Sequence, residues 1–279
     1  MLVCTTLVLA ACAPGAAAPR RLAPATFRMG TAPTEADVAY GPDVDSHLLD
    51  TYLTSSATRR GTIVFVHGGG WEGGDKETLT AGEFGAVLAQ LDRGFDLVSV
   101  DYRLAPEHPY PAAFDDVALA IDWVRAHGAE HGLDLRRVVV MGHSAGGSLA
   151  AMVGTQPGAT TEFGTVPRVD RWVAIAAMST YANGGMLDDF PGNWGLRSTA
   201  QRIEASPMTT IDRTDPPGYL IHGDRDGFVA DWHSVLFAAH ARENGARIQF
   251  DHVTTGPVGC RDHFGPCGAD LGPLERFLG

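Results

Sequence analysis

"VVVMGHSAGGSLAAMVG", residues 138–154, runs from four apolar residues into a serine flanked by small residues, and then into an alanine-rich stretch. A short continuous apolar run suits a strand buried on both faces, and small residues after a tight turn suit a helix packed close against it. Gly142-His143-Ser144-Ala145-Gly146 occupies the joint. Small neighbours allow a sharp turn that lifts the Ser144 hydroxyl above the sheet edge, where the first N–H groups of the helix point. By itself G-x-S-x-G is a weak signal, because Gly and Ser populate any turn. Its position between strand and helix is what makes it informative.

Outward from this stretch the same alternation repeats. Strands are expected at 62–66, 95–102, 136–142, 171–179, 218–223 and 246–253, with helices at 78–94, 112–128, from 144 onward, 231–245 and a short last one at 271–279. Apolar strands separated by helical crossovers imply a single α/β domain with a mostly parallel central sheet flanked by helices. The segment 38–54 adds antiparallel edge strands. Ligand sites in such sheets lie beyond the carboxyl ends of the strands, so the residues just after each strand matter most. With 279 residues, 44% of them hydrophobic, the chain needs no metal or disulfide to build its core. A net charge of −12 and the absence of any basic run exclude nucleic acid as a partner.

A neutral serine needs a base within reach, and the base needs an orienting carboxylate. In this architecture the chain order is serine, acid, histidine. Of eleven histidines only His233, His240, His252 and His263 follow a plausible acid. The first two fall in a helix and His252 falls inside a strand, which leaves His263 in the loop "GCRDHFGPCG". For the acid, "YLIHGDRDGFVAD" offers Asp226 first, Asp224 as fallback, and Asp231 as the cap of the next helix. The glycines of "HGGGW", residues 67–71, follow the strand TIVFV and let backbone N–H groups approach a developing negative charge. Gly69 and Gly70 are the expected donors, together with Ala145. Gly68-x-Gly70-x-x-Gly73 also matches a dinucleotide fingerprint, yet no helix opens at once and no acid ends a strand at the right distance. A phosphate-cradling loop fails too, because Lys76 follows Asp75 where a glycine is required.

Taken together, HGGGW, "GDK", "SVDYRLAPEHPYPAAFDD", GHSAGG, HGxxD and the C-terminal DHF resemble the α/β-hydrolase esterases. The similarity is to the hormone-sensitive-lipase-like carboxylesterases and to the feruloyl/acetyl esterases related to bacterial kynurenine formamidases. That resemblance implies the α/β-hydrolase fold and hydrolysis of small or medium carboxylic esters through an acyl-enzyme, without cofactor or metal. Only residues 181–208 form a lid-like insertion, which argues against large lipid-droplet substrates. Trp71 and Trp194 are the candidate pocket residues, with lid core as the alternative role for Trp194. Two other functions stay open: an amide hydrolase of the arylformamidase type, and a non-catalytic surface lipoprotein that keeps the fold as a binding module.

The N-terminus reads differently. A short apolar run ends in Leu9-Ala10-Ala11-Cys12, which resembles the lipobox of bacterial lipoproteins, although no Lys or Arg precedes it. This divides the chain into a signal peptide at 1–11, a flexible tether at 12–35 and the hydrolase domain at 36–279. The expectation is export with a lipid anchor on Cys12 at the outer face of the bacterial cell membrane; the alternative is a cytoplasmic protein with an apolar N-terminus. In an oxidising compartment Cys260 and Cys267 form a disulfide that steadies the loop of His263, by about 2–3 kcal/mol on the chain-entropy account. Reduced thiols are the alternative. A zinc site on the same residues conflicts with an imidazole that must shuttle protons.

Overall fold

Runs such as Gly61–Val66 and Val138–His143 are buried at every position, which a strand satisfies only when helices cover both faces of its sheet. The computed structural model describes residues 31–80, 84–181, 194–255, 261–263 and 272–279. Its strands are β1 (Glu35–Ala39), β2 (Leu48–Tyr52), β3 (Gly61–Val66), β4 (Phe95–Val100), β5 (Val138–His143), β6 (Thr160–Thr161), β7 (Gly164–Thr165), β8 (Arg171–Ile175), β9 (Gly218–Gly223) and β10 (Ile248–Val253). Its helices are α1 (Gly85–Leu88), α2 (Ala112–His127), α3 (Ala145–Thr155), α4 (Thr199–Glu204), α5 (Pro207–Thr210), α6 (Trp232–Glu243) and α7 (Gly272–Leu278). The central sheet has the order β1-β2-β4-β3-β5-β8-β9-β10, and β6 and β7 form a separate ribbon. From β4 to β10 every neighbouring pair is parallel, whereas β1 and β2 add the antiparallel edge expected from residues 38–54.

Apolar side chains fill both faces. Val64, Val98 and Val140 pack with Ile121 of α2, Leu149 of α3 and Phe237 of α6. On the opposite face Ile63, Leu97, Met141 and Tyr219 meet Leu88 of α1 and Leu274 and Leu278 of α7. All eleven residues of α3 are buried, so its small side chains are what let it lie close to the strands. Among the described residues no helix is long and apolar enough to cross a membrane.

Polar clasps hold the loops. The Arg103 guanidinium forks onto the buried Asp116 carboxylate, with bonds of 2.7 and 3.0 Å, fastening the segment after β4 to α2. Lys76 is buried, and its Nζ lies 2.8 Å from Asp37 and 3.3 Å from Asp50, which ties the β1–β2 edge to the turn after β3.

Three local expectations change. Among the described residues of the helix read at 78–94 there is a 3-10 turn at Lys76–Thr80 and the single turn α1; Gly85 costs a helix interior roughly 1 kcal/mol. The strand read at 171–179 ends at Ile175, because Ala176 turns out of the sheet at φ 49°. The residues beyond are apolar because they are buried, and Met178 faces a cavity. Asp231 stands at the cap position of α6 but makes no capping hydrogen bond with its side chain; its carboxylate accepts from His252 at 2.8 Å instead. The sheet also starts slightly early, since Thr34 N–H already donates to Thr51 and β1 begins at Glu35.

The start of α3 lies directly on β3. A Cβ added to Gly146 would stand 2.2 Å from the Val66 carbonyl oxygen and 2.3 Å from that of His67, so Gly146→Ala must push the helix off the strand. Urea unfolding of Gly146→Ala is expected to show a loss of roughly 1–3 kcal/mol, the range for overpacking; an unchanged midpoint contradicts the close approach.

Candidate active site

The loops after β3, β5, β8 and β9 meet at the carboxyl edge of the sheet. Ser144 follows β5 at once and caps α3 with φ 54° and ψ −120°. Positive φ on a residue with a Cβ costs on the order of 1–3 kcal/mol, and the neighbours hold it there. Ser144 N–H donates to the Ile175 carbonyl at 2.8 Å, and a Cβ on Gly142 would meet the Gly146 oxygen at 2.2 Å. The turn is therefore fixed by contacts that no larger residue permits at 142 or 146. Ala145 is the first residue of α3, where backbone N–H groups have no partner within the helix.

The glycine loop comes from β3. Gly69 and Gly70 take φ of 116° and 65°, and both line the same cavity as Ser144, Ala145 and His263. His67 anchors the loop. Burial lowers its pKa to about 4, so the ring is neutral, and its Nδ1 lies 2.7 Å from the Gly68 carbonyl oxygen. Tyr102 stacks on that ring at 4.2 Å and donates its hydroxyl to the His67 carbonyl at 3.0 Å.

The acid and the histidine candidates come together across 37 residues of chain, from the loops after β9 and β10. His263 Nδ1 lies 2.8 Å from Asp226 Oδ2. The Asp226 side chain is fully buried, and its other oxygen accepts from the N–H groups of Phe228 and Val229, each at 2.8 Å. Burial by itself raises the carboxyl's pKa, but His222, His263 and the Val229 N–H outweigh it and hold the group well below the usual carboxylate range. The loop bearing His263 is pinned at its start, because Arg225 N–H donates to the Arg261 carbonyl at 2.9 Å.

Two positioning histidines were not singled out by sequence. His143, the variable residue of the G-x-S-x-G pentapeptide, places Nε2 2.7 Å from the His263 carbonyl oxygen; burial first, and the neighbouring His263 second, lower its pKa to about 4. His222, from the HGxxD segment, accepts the Ser234 hydroxyl at Nδ1 (2.7 Å), which leaves Nε2 to donate toward Val229 O at 2.9 Å and Asp226 Oδ2 at 3.2 Å. Both stand in motifs; the His143 partner lies 120 residues away, whereas those of His222 follow it within 12 residues.

The other candidates separate clearly. Asp224 forms an ion pair with Arg261, and His252 and His240 pair with Asp231 and Asn244. His233 Nδ1 accepts the Ser179 N–H at 3.3 Å. Trp71 is buried and lines the cavity, whereas Trp194 stacks behind it at 4.3 Å and is not among the lining residues. The cavity has a volume of about 330 Å³, and Trp71, Phe84, Met178, Phe228 and Val229 supply its apolar wall. Cys12, Cys260, Cys267 and residues 182–193 of the insertion lie outside the described residues.

Solved structures share this arrangement of sheet and helices. A truncated carbohydrate esterase from gut microbiota superimposes with a TM-score of 0.73 at 25% identity, covering 88% of this chain and 94% of that one. The chain has the α/β-hydrolase fold. The propionate-bound Est2 esterase of the Planctomycetes species Thermogutta terrifontis matches with a TM-score of 0.66 at 25% identity, over 88% and 90% of the two chains. The BD-FAE family model matches residues 49–178, which hold the glycine loop and the Ser144 turn. Among curated proteins of Mycobacterium tuberculosis, the chain is 47% identical to esterase LipI over 93 residues, or 33% of the chain and 28% of the relative. It is 27% identical to esterase LipQ over 226 residues, or 75% of the chain and 53% of the relative. The chain thus spans from about a quarter to about half of the length of these two relatives.

The depressed pKa of Asp226 has a sign. Its folded value lies below the ordinary 3.8, so the stability it contributes is present above 3.8 and lost as pH falls through the folded value. Thermal melts from pH 7 to pH 3 are expected to show the wild type above Asp226→Asn at neutral pH, with the gap narrowing below about pH 4. A gap that stays constant over the range contradicts the assignment.

Proposed function

We propose that this α/β-hydrolase cleaves small or medium carboxylic esters through an acyl-enzyme, with Ser144 as nucleophile, His263 as base and Asp226 as its orienting acid. The observation that carries the proposal is the His263–Asp226 pair, 2.8 Å apart, opening onto the cavity that Ser144 also lines. The Asp226 charge holds a proton on His263 Nδ1, so the Nε2 side of the ring is the side that accepts the serine proton. Ser144 Oγ attacks the carbonyl carbon while that proton passes to His263, and the imidazolium gains from the fixed negative charge behind it.

The tetrahedral oxyanion is stabilised by the N–H groups of Gly69, Gly70 and Ala145. Losing one such donor commonly costs about 3 kcal/mol of transition-state stabilisation. His263 then protonates the leaving alcohol, and water repeats the sequence to release the acid and restore Ser144. The neutral state of His67 suits this loop, since its ring is engaged with the Gly68 carbonyl and adds no titrating charge beside the oxyanion. A cavity of about 330 Å³ lies at the small end for ligand sites and favours short acyl groups. Relatives and structural neighbours that carry esterase names support the reaction class.

Export belongs to the same proposal and rests on the Leu9-Ala10-Ala11-Cys12 sequence. In a bacterial host Cys12→Ser is expected to move the protein out of the membrane fraction; an unchanged distribution removes the lipid anchor.

Ser144→Ala is expected to lower kcat on p-nitrophenyl butyrate by about 10⁴-fold or more and to abolish labelling by a fluorophosphonate, with an unchanged circular dichroism spectrum. For the wild type, kcat/KM should fall from the butyrate to the palmitate ester. Parent-level turnover by Ser144→Ala overturns the nucleophile, and preferential hydrolysis of N-formylkynurenine moves the assignment to an amide hydrolase.

A further inference from the structure

At the amino edge of the sheet, opposite the candidate active site, the chain gathers positive charge. Arg137 immediately precedes β5, Arg171 opens β8 and Arg247 immediately precedes β10, while Arg125 from the end of α2 and Arg168 from the approach to β8 complete the group. These five arginines line one open cavity of about 600 Å³ together with Asp170 and the prolines that precede β9. In a chain with 21 basic and 33 acidic residues, such a convergence needs an explanation.

The guanidinium groups are held mainly by neutral carbonyl oxygens. Arg125 donates to Arg168 O at 2.7 Å, Arg168 to Thr214 O at 2.7 Å, and Arg247 to Asp215 O at 3.3 Å. Arg137 donates to the Leu278 carbonyl oxygen, and the terminal carboxylate of Gly279 lies 3.4 Å from its guanidinium. Asp170 is the one carboxylate lining the cavity among the described residues; it reaches Arg125 at only 3.4 Å and also accepts the Val138 N–H at 2.8 Å. Arg171 lies over the Phe277 ring at 5.3 Å, and its buried Nε has no hydrogen-bond partner. Burial, and then the charges of Arg137 and Arg247, lower the pKa of Arg171. Five guanidiniums thus face the Asp170 carboxylate within the cavity and the Gly279 carboxylate and Asp215 behind it, which leaves a net positive charge, and they offer forked donors that match tetrahedral oxyanions.

We infer that this cavity binds a multiply charged oxyanion of the phosphate or sulfate class, at a site separate from ester hydrolysis. Each strand between the two edges rises by about 3.3 Å per residue, so β5 and β9, with six residues each, place the two sites roughly 20 Å apart. A bound anion can thus attach the protein to a phosphorylated ligand, free or displayed as a lipid headgroup, while the catalytic edge stays open.

The test is titration calorimetry and thermal melting with sodium pyrophosphate, against sodium chloride at matched ionic strength, on the wild type and on Arg168→Gln/Arg247→Gln. Saturable binding of pyrophosphate with a rise in Tm, weakened at least tenfold in the double variant, is the expected result. Flotation with phosphatidylglycerol and phosphatidylcholine vesicles separates the sources. Retention by the anionic vesicles alone, lost in the double variant, assigns a headgroup, and binding of pyrophosphate without vesicle retention assigns a soluble ligand. Unchanged ester turnover by the double variant shows that it is folded, and Ser144→Ala should bind pyrophosphate like the wild type. The inference is overturned if neither probe binds above the chloride control, or if the double variant binds as tightly as the parent.

Discussion

Everything at the carboxyl edge depends on a backbone constraint at Ser144. A residue with a side chain is held at φ 54° because Gly142 and Gly146 approach within distances that exclude any Cβ, and because Ile175 receives its N–H. That constraint sets three neighbours at once: Ser144, Ala145 at the start of α3, and His143, all of which line the cavity. Relaxing the turn would disturb all three, so the strain is held by the packing of α3 between β3 and β8. The cost, of order 1–3 kcal/mol, is small beside the burial of the whole helix.

Neutral histidines do much of the positioning. His67 and His143 are both depressed to about 4 by burial, and each places a ring nitrogen within hydrogen-bond reach of a main-chain carbonyl in a loop that lines the cavity. An amide or a hydroxyl offers less reach and rigidity at those points, and a charged residue would upset the electrostatics around His263. Asp226 complements them as the strongly ionised member, receiving two imidazoles and two backbone N–H groups. The arrangement separates roles by environment: neutral rings shape the loops, and one buried anion sets the field.

Much of this was legible in the sequence, for a physical reason. The buried parallel strands are continuous apolar runs, and a sharp strand-to-helix turn needs glycines at fixed offsets, so the sheet, the Ser144 turn and the glycine loop are written locally. The choice of Asp226 over Asp224 followed from its place beyond the strand, and the ion pair between Asp224 and Arg261 explains why the fallback is occupied elsewhere. What escaped were features defined by contacts across the chain. The residues after Ile175 read as strand because burial and strand propensity look alike in a short apolar run. The long helix suggested by the spacing at 78–94 is, among the described residues, a 3-10 turn and the single turn α1. His143 and His222 are visible as letters, but their partners at His263, Ser234 and Asp226 emerge only when the segments after β5, β9 and β10 and the start of α6 meet at the carboxyl edge.

The clasp at Lys76 has a consequence for handling the protein. It is the single lysine in the 279 residues, and its ammonium is enclosed by Asp37 and Asp50 beneath the sheet edge. Reagents that couple through side-chain amines, such as succinimidyl dyes or aldehyde-activated resins, therefore meet no accessible target on the folded domain. Labels and surfaces have to be attached through other chemistry, and any amine that becomes reactive on heating reports that the β1–β2 edge has opened.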